Sequence, residues 1–167
     1  MRKNTAMKFV MAAAGAAVLA TAAAASPGSG VLSGAVLARG AFVDPVDIKF
    51  KVSGGDAKIL QVREAQDTVV QSITLAPGGT TGWHSHPGPV VVVVASGALT
   101  FYSSDDPTCT GRTYTAGQAF VDSGQGHVHT ARNLSQSENL QLLATYFDVP
   151  AGGAFRLDVA DPGTCQF

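Results

Sequence analysis

Residues 78–97 read GGTTGWHSHPGPVVVVVASG and residues 126–133 read GHVHTARN; between them they hold all four histidines of the 167-residue chain, His84, His86, His127 and His129. Both stretches read as β-strand, and a strand turns alternate side chains to the same face. Each His-x-His doublet therefore presents two imidazoles side by side on one surface. Imidazole is the commonest protein ligand for a transition metal, and two convergent doublets supply three or four nitrogens. The distribution implies a metal site carried on a β-scaffold.

Working outward, almost every remaining signal is a strand. Val46, Ile48, Phe50 and Val52 alternate with Asp47, Lys49 and Lys51, and Gly54-Gly55-Asp56 closes that run. Ile59–Val62 and Val69–Leu75 come next, the latter ended by Ala76-Pro77-Gly78-Gly79. Val90–Val94 is an unbroken β-branched run, the pattern of a strand buried on both faces. Further strands are expected at Ala98–Tyr102, Arg112–Thr115, Gln118–Val121, His127–Asn133, Leu140–Phe147 and Phe155–Val159, each bounded by turn residues. Many short strands without an amphipathic helix give an all-β sandwich or barrel, whose facing inner surfaces converge on one cavity.

The amino terminus reads differently. Arg2, Lys3 and Lys8 precede a short apolar run from Phe9 to Ala20, and Ala23-Ala24-Ala25 offers a small-residue cleavage site. Residues 1–25 are expected to be a cleavable signal peptide, too short and alanine-rich for a membrane anchor, that sends the chain to a secreted or periplasmic location. Its composition suits a bacterial source. Residues 26–40, rich in Ser, Gly and Ala without a period, are expected to form a flexible N-terminal arm. Cleavage removes three cations and no acid, so the mature chain carries a net charge of about −4. Mild acidity without basic clusters argues against nucleic acid, and no stretch after the signal suits a membrane.

Cys109 and Cys165 both sit in turn-rich sequence, and an even pair in an exported protein is expected to form a disulfide. The alternatives are two free thiols or two further metal ligands.

The motif spacings resemble those of the cupin family. Its first motif runs Gly, five residues, His-x-His, three or four residues, Glu, six residues, Gly; here Gly78, His84-Ser85-His86, Val90 and Gly97 fall at those positions, with Val90 where the family has glutamate. The second motif is matched by Gly126, His129 and Asn133, with Gly124 in the place of an upstream proline and Gly117 opening the segment one residue early. The resemblance implies a cupin double-stranded β-helix, or jelly-roll barrel, over residues 41–167. It implies His84, His86 and His129 as ligands of a divalent transition metal (Fe, Mn, Zn, Ni or Cu), with His127 either a fourth ligand or a rim residue. Homodimers occur in the family.

Three imidazoles without a carboxylate leave open coordination positions for water, oxygen or a chelating small molecule. If the chain is an enzyme, the expectation is a non-haem metal-dependent oxygenase, a dioxygenase in the likeness of relatives that use three histidines. The alternative is a non-catalytic small-molecule-binding or storage protein with a structural metal or none. Sugar isomerase chemistry is disfavoured, since the sequence offers almost no inward charge. Trp83 is expected in core or rim packing, Asn133 at a turn, Arg132 outward, and Tyr102, Tyr114 and Tyr146 in core packing. Glu64 and Glu138 stand in no motif spacing to the histidines.

Overall fold

Leu140, Leu142, Ala144 and Tyr146 alternate with Gln141, Leu143 and Thr145, a strand with one face committed to a core. The computed structural model describes residues 24–53 and 58–167, and this alternation emerges in it as the strand Leu140–Val149, with that face buried throughout. Among the described residues there are twelve strands and no helix: β1 Ser29–Ala41, β2 Ile48–Val52, β3 Lys58–Val62, β4 Asp67–Thr80, β5 His84–Ser85, β6 Val90–Ser96, β7 Ala98–Ser103, β8 Arg112–Thr115, β9 Ala119–Asp122, β10 His129–Arg132, β11 Leu140–Val149 and β12 Leu157–Asp158. The fold is an all-β jelly-roll barrel.

Ten strands share one antiparallel sheet ordered β12-β5-β10-β4-β11-β6-β9, with β1 added to β4, β7 to β10 and β8 to β7. The hairpin β2–β3 stands apart. The inner face packs two adjoining clusters. One gathers Leu75, Val94, Leu99, Ala131, Leu140 and Leu142; the other gathers Val69, Val90, Ala144, Tyr146 and Val149. Ile73 and Val92 touch both, so the core is continuous along the barrel.

Three expectations need correction. Residues 26–40 are not a loose arm from Ser29 onward: β1 pairs with β4 from Ser29↔Thr80 to Ala41↔Asp67. Every side chain of β1 is exposed, so the strand buries no face; main-chain bonds hold it, with Arg39 bonding Asp67 and the Pro150 and Gly153 carbonyls at 2.7 Å. A hydrophobic period reports burial, and a strand that buries nothing carries no period. Second, β6 is not covered on both sides. Val90 and Val94 are buried but Val93 is 37% exposed, because the sheet's outer face here meets solvent. Third, β10 begins at His129 rather than His127, since Gly124, Gln125 and Gly126 all take positive φ (56°, 53° and 84°) and turn the chain before the strand starts.

The expected signal peptide falls mostly outside the described residues. Its last residue, Ala25, forms an isolated bridge with Ala160, and the Ser26 N–H donates to the Val159 carbonyl at 2.8 Å. The turn at Gly54-Gly55-Asp56 also lies outside them. Among the described residues, no helix is long and apolar enough to cross a membrane.

Cys109 and Cys165 form a disulfide, with Cα atoms 5.3 Å apart and a sequence separation of 56. Bonds of this kind persist in oxidising compartments. The bridge pins the C-terminal tail, whose Phe167 stacks on Trp83 (6.3 Å between centroids) and lies under the Arg132 guanidinium at 4.4 Å.

Candidate metal centre

Strand pairing brings the two histidine stretches together: His84 of β5 is the cross-strand partner of His129 of β10. His86 follows two residues after His84 on the same parity. The three rings form a cluster, with centroids 4.3 Å (His84–His129), 4.9 Å (His84–His86) and 5.2 Å (His86–His129) apart. One nitrogen from each lies within 4.8 Å of the others, and the three residues are only 4–5% exposed.

The tautomers follow from the neighbours. Nδ1 of His84 donates to the Gly82 carbonyl at 2.8 Å, and Nδ1 of His86 to the Phe155 carbonyl at 2.7 Å. Nδ1 of His129 meets the His127 carbonyl at 3.4 Å. A carbonyl only accepts, so the proton sits on Nδ1 and each neutral ring keeps its lone pair on Nε2. Metal-ligating histidines are oriented in this way, by a bond from the other ring nitrogen. Burial holds all three imidazoles neutral: it pulls His84 well below the ordinary 6.5, lowers His86, and brings His129 to about 4. Three neutral imidazoles bearing free, convergent lone pairs fit a divalent transition metal.

His127 is placed differently. It lies in the loop before β10, its Nε2 2.8 Å from Ser103 Oγ and its Nδ1 3.2 Å from Asp122 Oδ1. It groups with Asp122 and His129 rather than with His84 and His86. Ser103 Oγ also accepts the Asp105 N–H at 3.2 Å, so this chain of bonds ties His127 to the rim.

Asp122 is the residue that sequence reasoning missed. The expectation of almost no inward charge is corrected by a carboxylate only 3% exposed at the end of β9, the cross-strand partner of Val90. Its Oδ2 stands 4.0 Å from His86 Nε2 and its Oδ1 3.7 Å from His129 Nδ1. Burial raises its carboxyl, but the facing His129 and the bond from His127 work the other way, and the balance holds Asp122 below the ordinary carboxylate value. The signal was present: Phe120 packs against the core, and Asp122 lies two residues on, hence on the same face.

The remaining expectations divide. Trp83 is buried under Phe167. Asn133 Nδ2 bonds the carbonyls of Leu75, Ala76 and Glu138 and so orders a turn. Tyr114 stacks on Phe120 at 4.2 Å, and Tyr102 meets Phe167 edge-on at 4.8 Å. Tyr146 belongs to the core and also to the cavity wall, 5.0 Å from His86, with its hydroxyl donating to Gln71 Oε1 at 2.7 Å and its phenol pushed up by burial.

The cavity enclosed by the three histidines measures about 40 Å³ and is walled mostly by apolar side chains, among them Val90, Leu99 and Phe120. That is room for an ion and a few water-sized ligands. A second pocket of about 240 Å³ shares Ile73, Thr81, His84 and Tyr146 with it and is bounded outward by Val31, Arg156 and Asp158.

A family model described as a cupin domain matches residues 71–146. No curated protein sequence matches the chain. Among solved structures, a cupin-like protein from Thermotoga maritima is similar at 21% identity over 56% of this chain and 65% of that one, with a TM-score of 0.46. An uncharacterized conserved protein with a double-stranded β-helix domain from Klebsiella pneumoniae is 16% identical over 71% and 87%, with a TM-score of 0.46. Oxalate oxidase in complex with the substrate analogue glycolate is 23% identical over 48% and 41%, with a TM-score of 0.42. The chain thus spans less than two thirds of the Thermotoga protein and of oxalate oxidase.

Proposed function

Residues 71–146 form a cupin domain, and from that premise we propose that His84, His86 and His129 hold one divalent transition metal and present it to a small molecule entering from the 240 Å³ pocket. The observation that carries the reading is the set of three buried imidazoles whose Nδ1 atoms face carbonyls and which each place one ring nitrogen within 4.8 Å of the others. A bound metal of this class acts as a Lewis acid and supports oxygen chemistry at its open positions.

The protein's own groups do the rest. The carbonyls of Gly82, Phe155 and His127 fix ring orientation. The apolar wall excludes bulk water. Tyr146, its hydroxyl bonded to Gln71, gives one side of the passage between cavity and pocket a fixed shape. Three protein ligands leave exchangeable positions, which favours a reactive centre over a closed structural one. The proposed activity is therefore metal-dependent oxygenation of a small molecule, in a protein exported through its amino-terminal signal.

Metal analysis of protein purified without chelator tests the reading. We expect about one metal ion per chain, and none in His86→Ala, with the β-sheet circular dichroism of the two proteins unchanged. Stoichiometric metal retained by His86→Ala would refute the ligand assignment.

A further inference from the structure

Among the described residues, Asp122 Oδ2 is the one buried side-chain oxygen or nitrogen with no hydrogen-bond partner. The side chain is 2% exposed, so bulk water does not reach it. What it faces is also an acceptor. The proton of His86 sits on Nδ1, toward the Phe155 carbonyl, so a carboxylate lone pair and an imidazole lone pair look at each other across 4.0 Å. Two buried acceptors in that relation repel unless a proton or a cation lies between them. A cation seated between the two acceptors removes the conflict.

We infer that Asp122 is the fourth protein ligand of the centre, an anionic oxygen delivered from β9 to the imidazoles of β5 and β10. This ligand presupposes the three-histidine metal site and adds to it; an octahedral ion holding all four groups keeps two exchangeable positions. The two oxygens divide the work: Oδ1 accepts from His127 and is thereby oriented, and Oδ2 is left for the metal. Ligating carboxylates are themselves held in this way by outer partners. With one carboxylate, the bound divalent ion keeps a single net positive charge, which an apolar wall tolerates better than two.

The test is Co²⁺ binding to the full chain, measured by competition with a chromophoric chelator, for wild type, Asp122→Asn and His127→Phe. Asp122→Asn keeps the shape and removes the charge; we expect it to weaken Co²⁺ by ~100-fold or more, at or beyond the upper end of the loss that follows removal of an outer partner. His127→Phe, which removes only the orienting bond, is expected to weaken it by about 10-fold or less. Infrared difference spectra of wild-type protein carrying ¹³C-aspartate should show an aspartate carboxylate band that shifts on Co²⁺ addition, a readout independent of any variant's folding. Equal affinity of wild type and Asp122→Asn, equal weakening in both variants, or an unshifted aspartate band would overturn the inference while leaving the histidine centre standing. Failure of the wild type to bind Co²⁺ would overturn both.

Discussion

The two His-x-His doublets have the same spacing but not the same fate. His84 and His86 both reach the cavity, whereas of the second doublet only His129 does. The first doublet sits on β5 and its extension, where alternation delivers both rings to one side. In the second, the left-handed run Gly124-Gln125-Gly126 places His127 in the turn, and its ring is captured by Ser103 and Asp122. Two-residue periodicity is lost where a left-handed run immediately precedes the doublet, as Gly124–Gly126 precedes His127. The chemical consequence is that the second doublet contributes one imidazole and, through His127, an oriented carboxylate.

The turn that separates the doublets also locks them together, and breaking it has the largest expected effect. A Cβ on Gly124, at φ +56°, would lie 1.7 Å from the Gly88 carbonyl oxygen, and a Cβ on Gly88 would lie 2.2 Å from that of Phe147. The loop after the first doublet and the loop before the second are therefore in backbone contact. Gly126 donates its N–H to the His86 carbonyl at 3.1 Å across the same seam. Gly124→Ala should cost about 4 kcal/mol or more, because neither backbone can retreat without moving His86 or His127. Gly126→Ala, where nothing lies within 4 Å of the added methyl, should cost only the left-handed strain of about 1–2 kcal/mol. Thermal melts of the two variants check the contrast; equal losses would mean the seam is not what fixes the histidines.

That seam shows where the sequence was legible. The strands with one buried face, such as Leu140–Val149, could be read from alternation, and the histidines from their spacing. The resemblance of motifs anchored by Gly78, Gly97, Gly126 and Asn133 named the barrel. β1 could not be read, since a strand that buries no apolar face leaves no hydrophobic trace. The turn at Gly124 could not be read either, because its requirement comes from Gly88, thirty-six positions away in sequence. Asp122 lay one residue beyond the expected end of its strand, at Val121. A residue's inward aim is settled by where the strand stops, and strand ends are the least legible feature of a sequence.

The doublets also differ in what backs them. Behind the first, Trp83 is covered by Phe167, and the tail that carries Phe167 is tied to the β7–β8 loop by the Cys109–Cys165 bond. The second is reached by the same tail only at the far end of its strand, where Phe167 lies under Arg132. Reducing and alkylating the disulfide should lower stability by roughly 2–4 kcal/mol, from the freedom returned to the unfolded chain. Co²⁺ affinity should fall with it, through the loosened wall behind His84, although no ligand is touched. A melting temperature that does not respond to reduction would show that the tail contributes nothing to the barrel. An affinity unchanged while the melt shifts would confine the strap's effect to the unfolded state.

The smallest effect separates the buried imidazoles from the chain around them. In the metal-free protein, His129 takes a proton only near pH 4, whereas in the unfolded chain it does so near 6.5. Above pH 6.5 neither state is protonated there, and stability is indifferent to pH. Between 6.5 and 4 the unfolded state binds the proton first, so stability falls as the solution is acidified and levels off near 4. For His129 the loss is about 3 kcal/mol at most, and the lowered values of His84 and His86 act in the same direction. Asp122 adds a further loss only at lower pH, since its folded carboxyl stays ionised below the ordinary 3.8. Chemical denaturation at a series of pH values gives the curve, and His129→Leu should flatten its upper part by about the same 3 kcal/mol while abolishing Co²⁺ uptake. A variant curve that still falls as steeply between pH 6.5 and 4 would place the acid sensitivity elsewhere in the chain. The buried histidines would then be held neutral by less than their surroundings imply.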